Sequence, residues 1–306
     1  MTETSSLDAG IFGATRTWGE MVKFSHSIFA LPFALIATFL AARSNPTGLP
    51  TIMQLILIVL CMVAARSFAM TFNRIADRVI DARNPRTATR PLVSGRITLN
   101  QAWILLAISA VVFLAGCAGF LVFCSNPWPL WLSAPTLALL AIYSYMKRVT
   151  PLAHFVLGVA IAFAPSAAWV AIAPQSYGIP ALLLTGCVLF WIAGFDIIYA
   201  CQDIDSDRRD GLKSVPARLG IAGALWVSRA CHVVTVGLLV AFGVVVGLAW
   251  LFWAAAIVTA ILLAAEQSVV RPTDLSRVNL AFFTLNGCVS LVLGLATISD
   301  ILWLGA

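Results

Sequence analysis

Asn73, Asp77 and Asp81 stand four residues apart at the end of an apolar stretch long enough to cross a bilayer. Far down the chain, Tyr199, Asp203 and Asp207 repeat that spacing at the end of another such stretch, and Asp196 precedes Asp203 by seven. At about 100° per residue, a step of four drifts only about 40° around a helix. Each row therefore shares one face if its helix runs on past the apolar stretch. Arg66, seven residues before Asn73, joins the first face one level deeper, whereas Asp205 falls off the second. Carboxylates at i, i+4 repel by a few tenths of a kcal/mol, and acids at a membrane boundary are costlier still. A divalent cation relieves that repulsion. Carboxylates with an Asn amide oxygen and room for water suit Mg²⁺ bound jointly with a phosphorylated ligand. Arg78, Arg83, Arg86, Arg90, Lys147, Arg148 and Lys213 surround the two rows and could hold the remaining phosphate oxygens. The pattern is that of a metal–diphosphate site at the mouth of a lipid-facing cavity.

A blander reading competes for some of these charges. Arg83, Arg86, Arg90, Arg208 and Arg209 also fit solvated loops that obey topology rules, and Arg66 fits a side chain snorkelling to the interface. Asp205 and Asp210 read as solvated charges and not as ligands. The in-register rows resist such a reading, because acids at a membrane boundary have a job by default.

The elements that must position these rows are membrane spans. Of 306 residues, 61% are hydrophobic and 10% charged, against roughly 25% charged in soluble domains. The chain is expected to be an all-α, polytopic membrane protein forming a single domain over residues 1–306. Strand barrels are excluded by the long unbroken apolar runs. Nine transmembrane helices are predicted at about 22–42, 51–72, 101–124, 128–146, 151–173, 178–200, 221–246, 248–266 and 278–298. Met1 to Glu20 is polar and mixed in charge, so the first span, not a cleaved signal, is the expected insertion signal. Seven Cys are scattered without a metal-ligand spacing and read as packing residues. His26, His154 and His232 lie on separate segments and form no motif.

Connections after spans 1, 3, 5 and 7 are short, and of the 19 Lys and Arg only Arg43 lies in them. Those after spans 2, 4, 6 and 8 carry the charge. The positive-inside rule places them and the N-terminus in the cytoplasm, and the C-terminus on the far side. The net charge of +6 is thus a topology signal and implies no nucleic-acid partner. Both acidic rows then meet at one face, four spans apart. This suggests a bundle of two four-helix halves plus a ninth helix, with cytoplasmic cap loops. Pro85–Thr98 and Asp210–Arg218, each with Pro and Gly, read as lids over the site. Lys23, His26 and Ser27 mark the membrane boundary at span 1. Tyr145 and Lys147 fall on different faces of span 4. Asn279, Asn286 and Ser290 share a face of span 9 and are expected to bond across helices. Gly116-x-x-Gly119 and Gly243-x-x-x-Gly247 read as close-packing positions.

Asn73-x-x-x-Asp77-x-x-x-Asp81, with Arg90-Pro91-Leu92-x-Ser94-Gly95 after it, resembles the first signature of the UbiA superfamily of intramembrane aromatic prenyltransferases. Asp196-x-x-Tyr199-Ala200-x-x-Asp203-x-Asp205-x-Asp207-x-x-x-Gly211-x-Lys213-Ser214 resembles the second, and Lys147-Arg148 also matches. Within the superfamily the likeness is to 4-hydroxybenzoate polyprenyltransferases. The Lys23–Phe33 opening resembles a bacterial subgroup that includes the prenyltransferase of the futalosine route to menaquinone. Ser206 departs from members that carry an Asp there, which removes position 206 as a ligand.

The resemblance implies Mg²⁺ held by Asn73, Asp77, Asp81, Asp203 and Asp207 on the diphosphate of a polyprenyl donor. It gives Asp77, Asp81, Asp203, Asp207 and Asp196 catalytic roles. Arg66, Arg78, Lys147, Arg148, Asp196, Tyr199 and Lys213 become substrate-binding candidates, with Arg148 and Asp196 tied to the aromatic acceptor. The implied product is an aromatic acid, 4-hydroxybenzoate first, prenylated ortho to its hydroxyl for quinone synthesis. The isoprenoid tail leaves toward membrane lipid, in an inner membrane whose cytoplasmic face carries the site. A 1,4-dihydroxy-2-naphthoate, homogentisate or haem-ring acceptor is the neighbouring alternative, and a cation or solute transporter the different-class one. Transport calls for polar groups at midplane and on both sides, whereas these acids cluster at one end.

Overall fold

The computed structural model describes Gly19, Met21 and residues 29–304; Lys23, His26, Ser27 and the first part of the first span lie outside the described residues. Among the described residues, nine helices follow one another: α1 (Leu31–Ala42), α2 (Ile52–Arg83), α3 (Leu99–Cys124), α4 (Trp128–Val149), α5 (Ala153–Ile172), α6 (Ile179–Arg209), α7 (Val215–Val246), α8 (Trp250–Val269) and α9 (Leu280–Trp303). Among the described residues, eight of these are long and apolar enough to cross a membrane, α1 has 12 residues, and the only β feature is an isolated bridge between Arg271 and Asp274. The protein is an all-helical integral membrane protein, as its composition predicts.

Local chemistry sets the helix ends. Thr51 and Gln54 form a reciprocal capping box at the start of α2, and Thr98 and Gln101 do the same for α3. The Ser214 side chain caps α7. Gly247 closes α7 with φ 73°, a left-handed cap that a Cβ would strain. The expected second span stops near residue 72, but α2 continues to Arg83. That extension carries Asn73, Asp77 and Asp81 in helical register. The expected seventh span begins near 221, whereas α7 starts at Val215 and bends at Gly220.

Sequential neighbours pack from α2 through α9, and α1 packs on α5 and α9 with further contacts to α2 and α6. Gly116 and Gly119 face Cys61 and Leu57 of α2, as close-packing positions should. The core centres on Phe29, Phe33, Trp191, Phe195 and Phe282, whose rings meet at 5.1–6.3 Å, mostly edge to face.

Some polar groups within the bundle pair across helices. Asn286 Oδ1 accepts from Trp191 Nε1 at 2.6 Å, and Asn286 Nδ2 donates to Glu266 at 2.9 Å. Ser290 also faces inward, but Asn279 is exposed. The shared face expected for the three breaks because α9 opens with a π-helical turn, Leu280–Leu285, which shifts the register before Asn286.

Asp300, fully buried, accepts the N–H groups of Ala249, Leu251 and Phe252 at 2.5, 3.1 and 3.4 Å and so caps α8 from a different helix. Asp300→Ala is expected to cost about 1–3 kcal/mol. The loss is read as a lower thermal midpoint in detergent, with a smaller drop for Asp300→Asn, which keeps one acceptor oxygen.

Candidate active site

A cavity of about 240 Å³ opens where the C-terminal ends of α2, α4 and α6 meet the start of α5 and α9. Asn73, Asp77 and Asp81 line it from α2, and Asp196, Tyr199, Asp203 and Asp207 from α6. The second row stays on one wall although α6 tightens into a 3-10 turn at Cys201–Asp203. Asp205 is exposed, as its register requires. Lys147 and Arg148 also line the cavity, and Tyr145 turns outward through the 3-10 turn at Tyr143–Tyr145. The two distant rows of carboxylates therefore share one space.

Three expected cation partners do not reach it: Arg83 is exposed and faces Asp210, and Arg78 and Lys213 lie off the cavity as well. Arg78 follows Asp77 directly, a rotation of about 100°, and is exposed on the outer side of α2. Lys213 donates from Nζ to the Val149 carbonyl at 3.1 Å, and its backbone N–H to the Lys147 carbonyl at 2.6 Å. It anchors the loop to the end of α4 and does not line the cavity.

Their places are taken by loop arginines. Arg90 NH1 lies 2.6 Å from both oxygens of Asp81. Arg86 grips Asp203 through Nε, at 2.9 Å, and NH2, while its NH1 donates to the Tyr199 hydroxyl at 2.8 Å. Asn84 adds a 2.8 Å bond to Asp203. Burial opposes the Arg86 charge, but Asp203 and then Tyr199 outweigh it, holding the guanidinium above its ordinary range. Segment 84–90 thus closes over the cavity by ion pairs to both rows. Arg148 NH2 reaches Asp77 at 3.0 Å, and Asn73 Nδ2 donates to Asp77 at 2.9 Å.

Asp210, expected to be solvated, has a side chain only 6% exposed that faces Arg83 and Arg209 at 3.7 and 3.9 Å, away from the cavity.

Whether Mg²⁺ fits rests on the donors. Among the described residues no three His, Cys, Asp or Glu side chains converge as one coordination shell, so no all-protein metal cage exists. The two rows supply oxygen ligands only, and Asp207 Oδ2 is buried without a hydrogen-bond partner, with Lys147 Nζ 3.8 Å away. Mg²⁺ commonly takes one or two carboxylates plus substrate phosphates and water, and this donor set suits that mode.

A second cavity of about 180 Å³, almost wholly apolar, runs between α2, α3, α4 and α5. Arg66, Met70, Tyr143, Leu157 and Ile161 line both cavities and form the shared boundary, the neck, at which the two adjoin. Arg66 Nε is buried there with no hydrogen-bond partner among the described residues. A buried donor left without a partner is costly, and the guanidinium at the neck could offer this N–H to an anionic ligand.

Sequence reasoning missed Arg74, which is buried and meets Asp81 at 3.9 Å, and His154, whose Nδ1 lies 2.6 Å from Asp196. Arg74 carries a signal in hindsight: it precedes Asp81 by seven. His154 carries none, because its partner is on another helix.

Known proteins resemble this chain in sequence and fold. A 4-hydroxybenzoate octaprenyltransferase of Aromatoleum aromaticum is 32% identical over 255 residues, covering 83% of each chain. The apo structure of a UbiA homolog from Aeropyrum pernix K1 is 35% identical, covers 90% of this chain and 98% of that one, and superposes with a TM-score of 0.80. A UbiA homolog from Archaeoglobus fulgidus bound to GPP and Mg²⁺ has the same fold, with a TM-score of 0.65 over 93% of this chain and 99% of that one at 19% identity. Residues 30–288 match the UbiA prenyltransferase family, and with both acidic rows brought to one cavity the chain belongs to that family as a prenyl-transferring membrane enzyme.

Proposed function

We propose that the protein transfers a polyprenyl group from a polyprenyl diphosphate to the ring of 4-hydroxybenzoate, ortho to the hydroxyl, in a Mg²⁺-dependent reaction of quinone biosynthesis. The observation that carries this reading is that the two cavities adjoin, with Arg66, Met70, Tyr143, Leu157 and Ile161 lining both. One end is ionic and built for a diphosphate, the other is apolar and built for a chain. Burial of each CH₂ there contributes about 0.8 kcal/mol.

In this reading Asn73, Asp77, Asp81, Asp203 and Asp207 hold Mg²⁺, which when bound neutralises the diphosphate and favours its departure. Lys147, which faces Asp207, Asp196, Asp203 and Asp77, and Arg148 hold the remaining phosphate oxygens. Arg86 and Arg90, which pair with Asp203 and Asp81 and offset their charge, turn to the diphosphate when it binds. Arg66 takes the acceptor's carboxylate, a task its planar fork suits. Tyr199, fixed against Phe282 at 4.2 Å, walls the reacting carbons from water. The C–O bond to the diphosphate breaks with its electron pair, ring π electrons form the new C–C bond, and Asp196 accepts the ring proton. The names of the curated relatives support the acceptor. The charged connections support a cytoplasmic site in a bacterial inner membrane, with the C-terminus on the far side.

The test is membranes bearing the protein, Mg²⁺, geranyl diphosphate and a panel of aromatic acids, read by mass spectrometry. Geranylated 4-hydroxybenzoate is the expected product. Product from a dihydroxynaphthoate and none from the benzoate overturns the acceptor and leaves the transfer intact.

Chain length is testable at the same time. Ala164 and Ala168 line the apolar cavity one turn apart on α5. Ala164→Phe is expected to spare geranyl diphosphate while reducing use of a C40 donor roughly tenfold or more, since overpacking costs about 1–3 kcal/mol. Equal use of both donors argues against this path for the tail.

A further inference from the structure

We propose that His154 is a positioning residue that orients the Asp196 carboxylate toward the acceptor. The inference rests on the reading of Asp196 as the group facing the acceptor ring. His154 is fully buried at the start of α5, and its Nδ1 lies 2.6 Å from Asp196 Oδ2. The Val215 backbone N–H, at the first residue of α7, points at His154 Nε2 from 3.4 Å. A backbone N–H can only donate, so Nε2 presents a lone pair and the ring proton sits on Nδ1. His154 therefore donates to Asp196, and Oδ1 is the carboxylate oxygen left for the cavity. No other hydrogen bond to the Asp196 oxygens is present among the described residues, so this bond is what fixes the carboxylate's rotation.

Packing fixes the distance. Gly158, one turn beyond His154 on α5, lies so close to α6 that a Cβ there would meet the Leu189 carbonyl oxygen at 2.6 Å. Leu189 precedes Asp196 by seven residues, on the same face of α6. The close approach of the two backbones thus sets the span that the imidazole bridges. Orienting partners one step removed from a reacting group typically matter by about 10–100-fold.

Two near-isosteric variants separate the two bonds of His154. His154→Asn places an amide N–H where Nδ1 stands and keeps the bond to Asp196. His154→Gln places an amide where Nε2 stands and keeps only the contact to Val215. Turnover of the purified full-length protein with Mg²⁺, geranyl diphosphate and 4-hydroxybenzoate is expected to fall roughly 10–100-fold in kcat for His154→Gln, with the donor KM unchanged. It is expected to stay within a few-fold of wild type for His154→Asn. The opposite order, both variants active, or both inactive, overturns the proposal, since each outcome removes the dependence on the Asp196 bond. One readout does not need turnover: with three His in the chain, ¹⁵N-histidine spectra should show one imidazole protonated at Nδ1 that shifts in Asp196→Asn. A spectrum with His154 protonated at Nε2 overturns the proposal even if no acceptor is ever turned over. Wild-type protein inactive on every aromatic acid, with that imidazole signal present, instead counts against the acceptor reading.

Discussion

Asp203→Asn is expected to lower turnover by roughly 10²–10³-fold, the scale on which removing one preorganised electrostatic group acts at a developing charge. The amide keeps the size and shape of the side chain, so packing is not the cause. It removes the charge that Arg86 grips through two nitrogens and that Asn84 supports at 2.8 Å. It also removes one of the ligands that Mg²⁺ would share with the diphosphate. The loss should be partly offset by raising Mg²⁺, because the defect lies in metal–donor binding. Asp205→Asn is the internal control: it lies two residues away on the same segment but is exposed, and should retain wild-type turnover within a factor of two or so, as surface changes do. Equal losses at 203 and 205 argue against the site as drawn.

Arg66→Met is expected to raise the KM for 4-hydroxybenzoate about 30–1000-fold, the effect of about 2–4 kcal/mol for losing a desolvated charged partner, with the donor KM little changed. Methionine fills the stem's volume at the neck between the two cavities, where Met70 already sits. Only the guanidinium is lost, and its buried Nε has no hydrogen-bond partner among the described residues. A phenol lacking the carboxylate should lose no comparable factor. A uniform fall in kcat for both acceptors points instead to collapse of the neck.

The i, i+4 spacing made the two acid rows legible, because register survives wherever the helix continues. It also gave Asp205 correctly as an outsider. The same rule was open to apply to Arg78, which adjacency to Asp77 made attractive but which sits about 100° off the face. Lys213 was misplaced for a different reason: it lies in a loop, and the loop backbone pairs with the Lys147 carbonyl, turning the side chain outward. Loop arginines were visible only as charges. That Arg90 and Arg86 reach back to Asp81 and Asp203 depends on the turns of segment 84–94, which no periodicity encodes. His154 was out of reach altogether, since its meaning comes from the α5–α6 approach at Gly158. The all-helical membrane architecture was legible from apolar length alone, but the π-helical turn at Leu280–Leu285 was not, and it moved Asn279 off the buried face.

The central claim is that acids from α2 and α6 jointly hold one metal on one diphosphate. Electron paramagnetic resonance of Mn²⁺ in place of Mg²⁺, with a non-reacting thio analogue of geranyl diphosphate, tests it directly. The account predicts ³¹P coupling to bound Mn²⁺ in the wild type, lost in Asp77→Ala and also in Asp203→Ala. Bound Mn²⁺ without ³¹P coupling, or coupling that survives loss of either row, contradicts it.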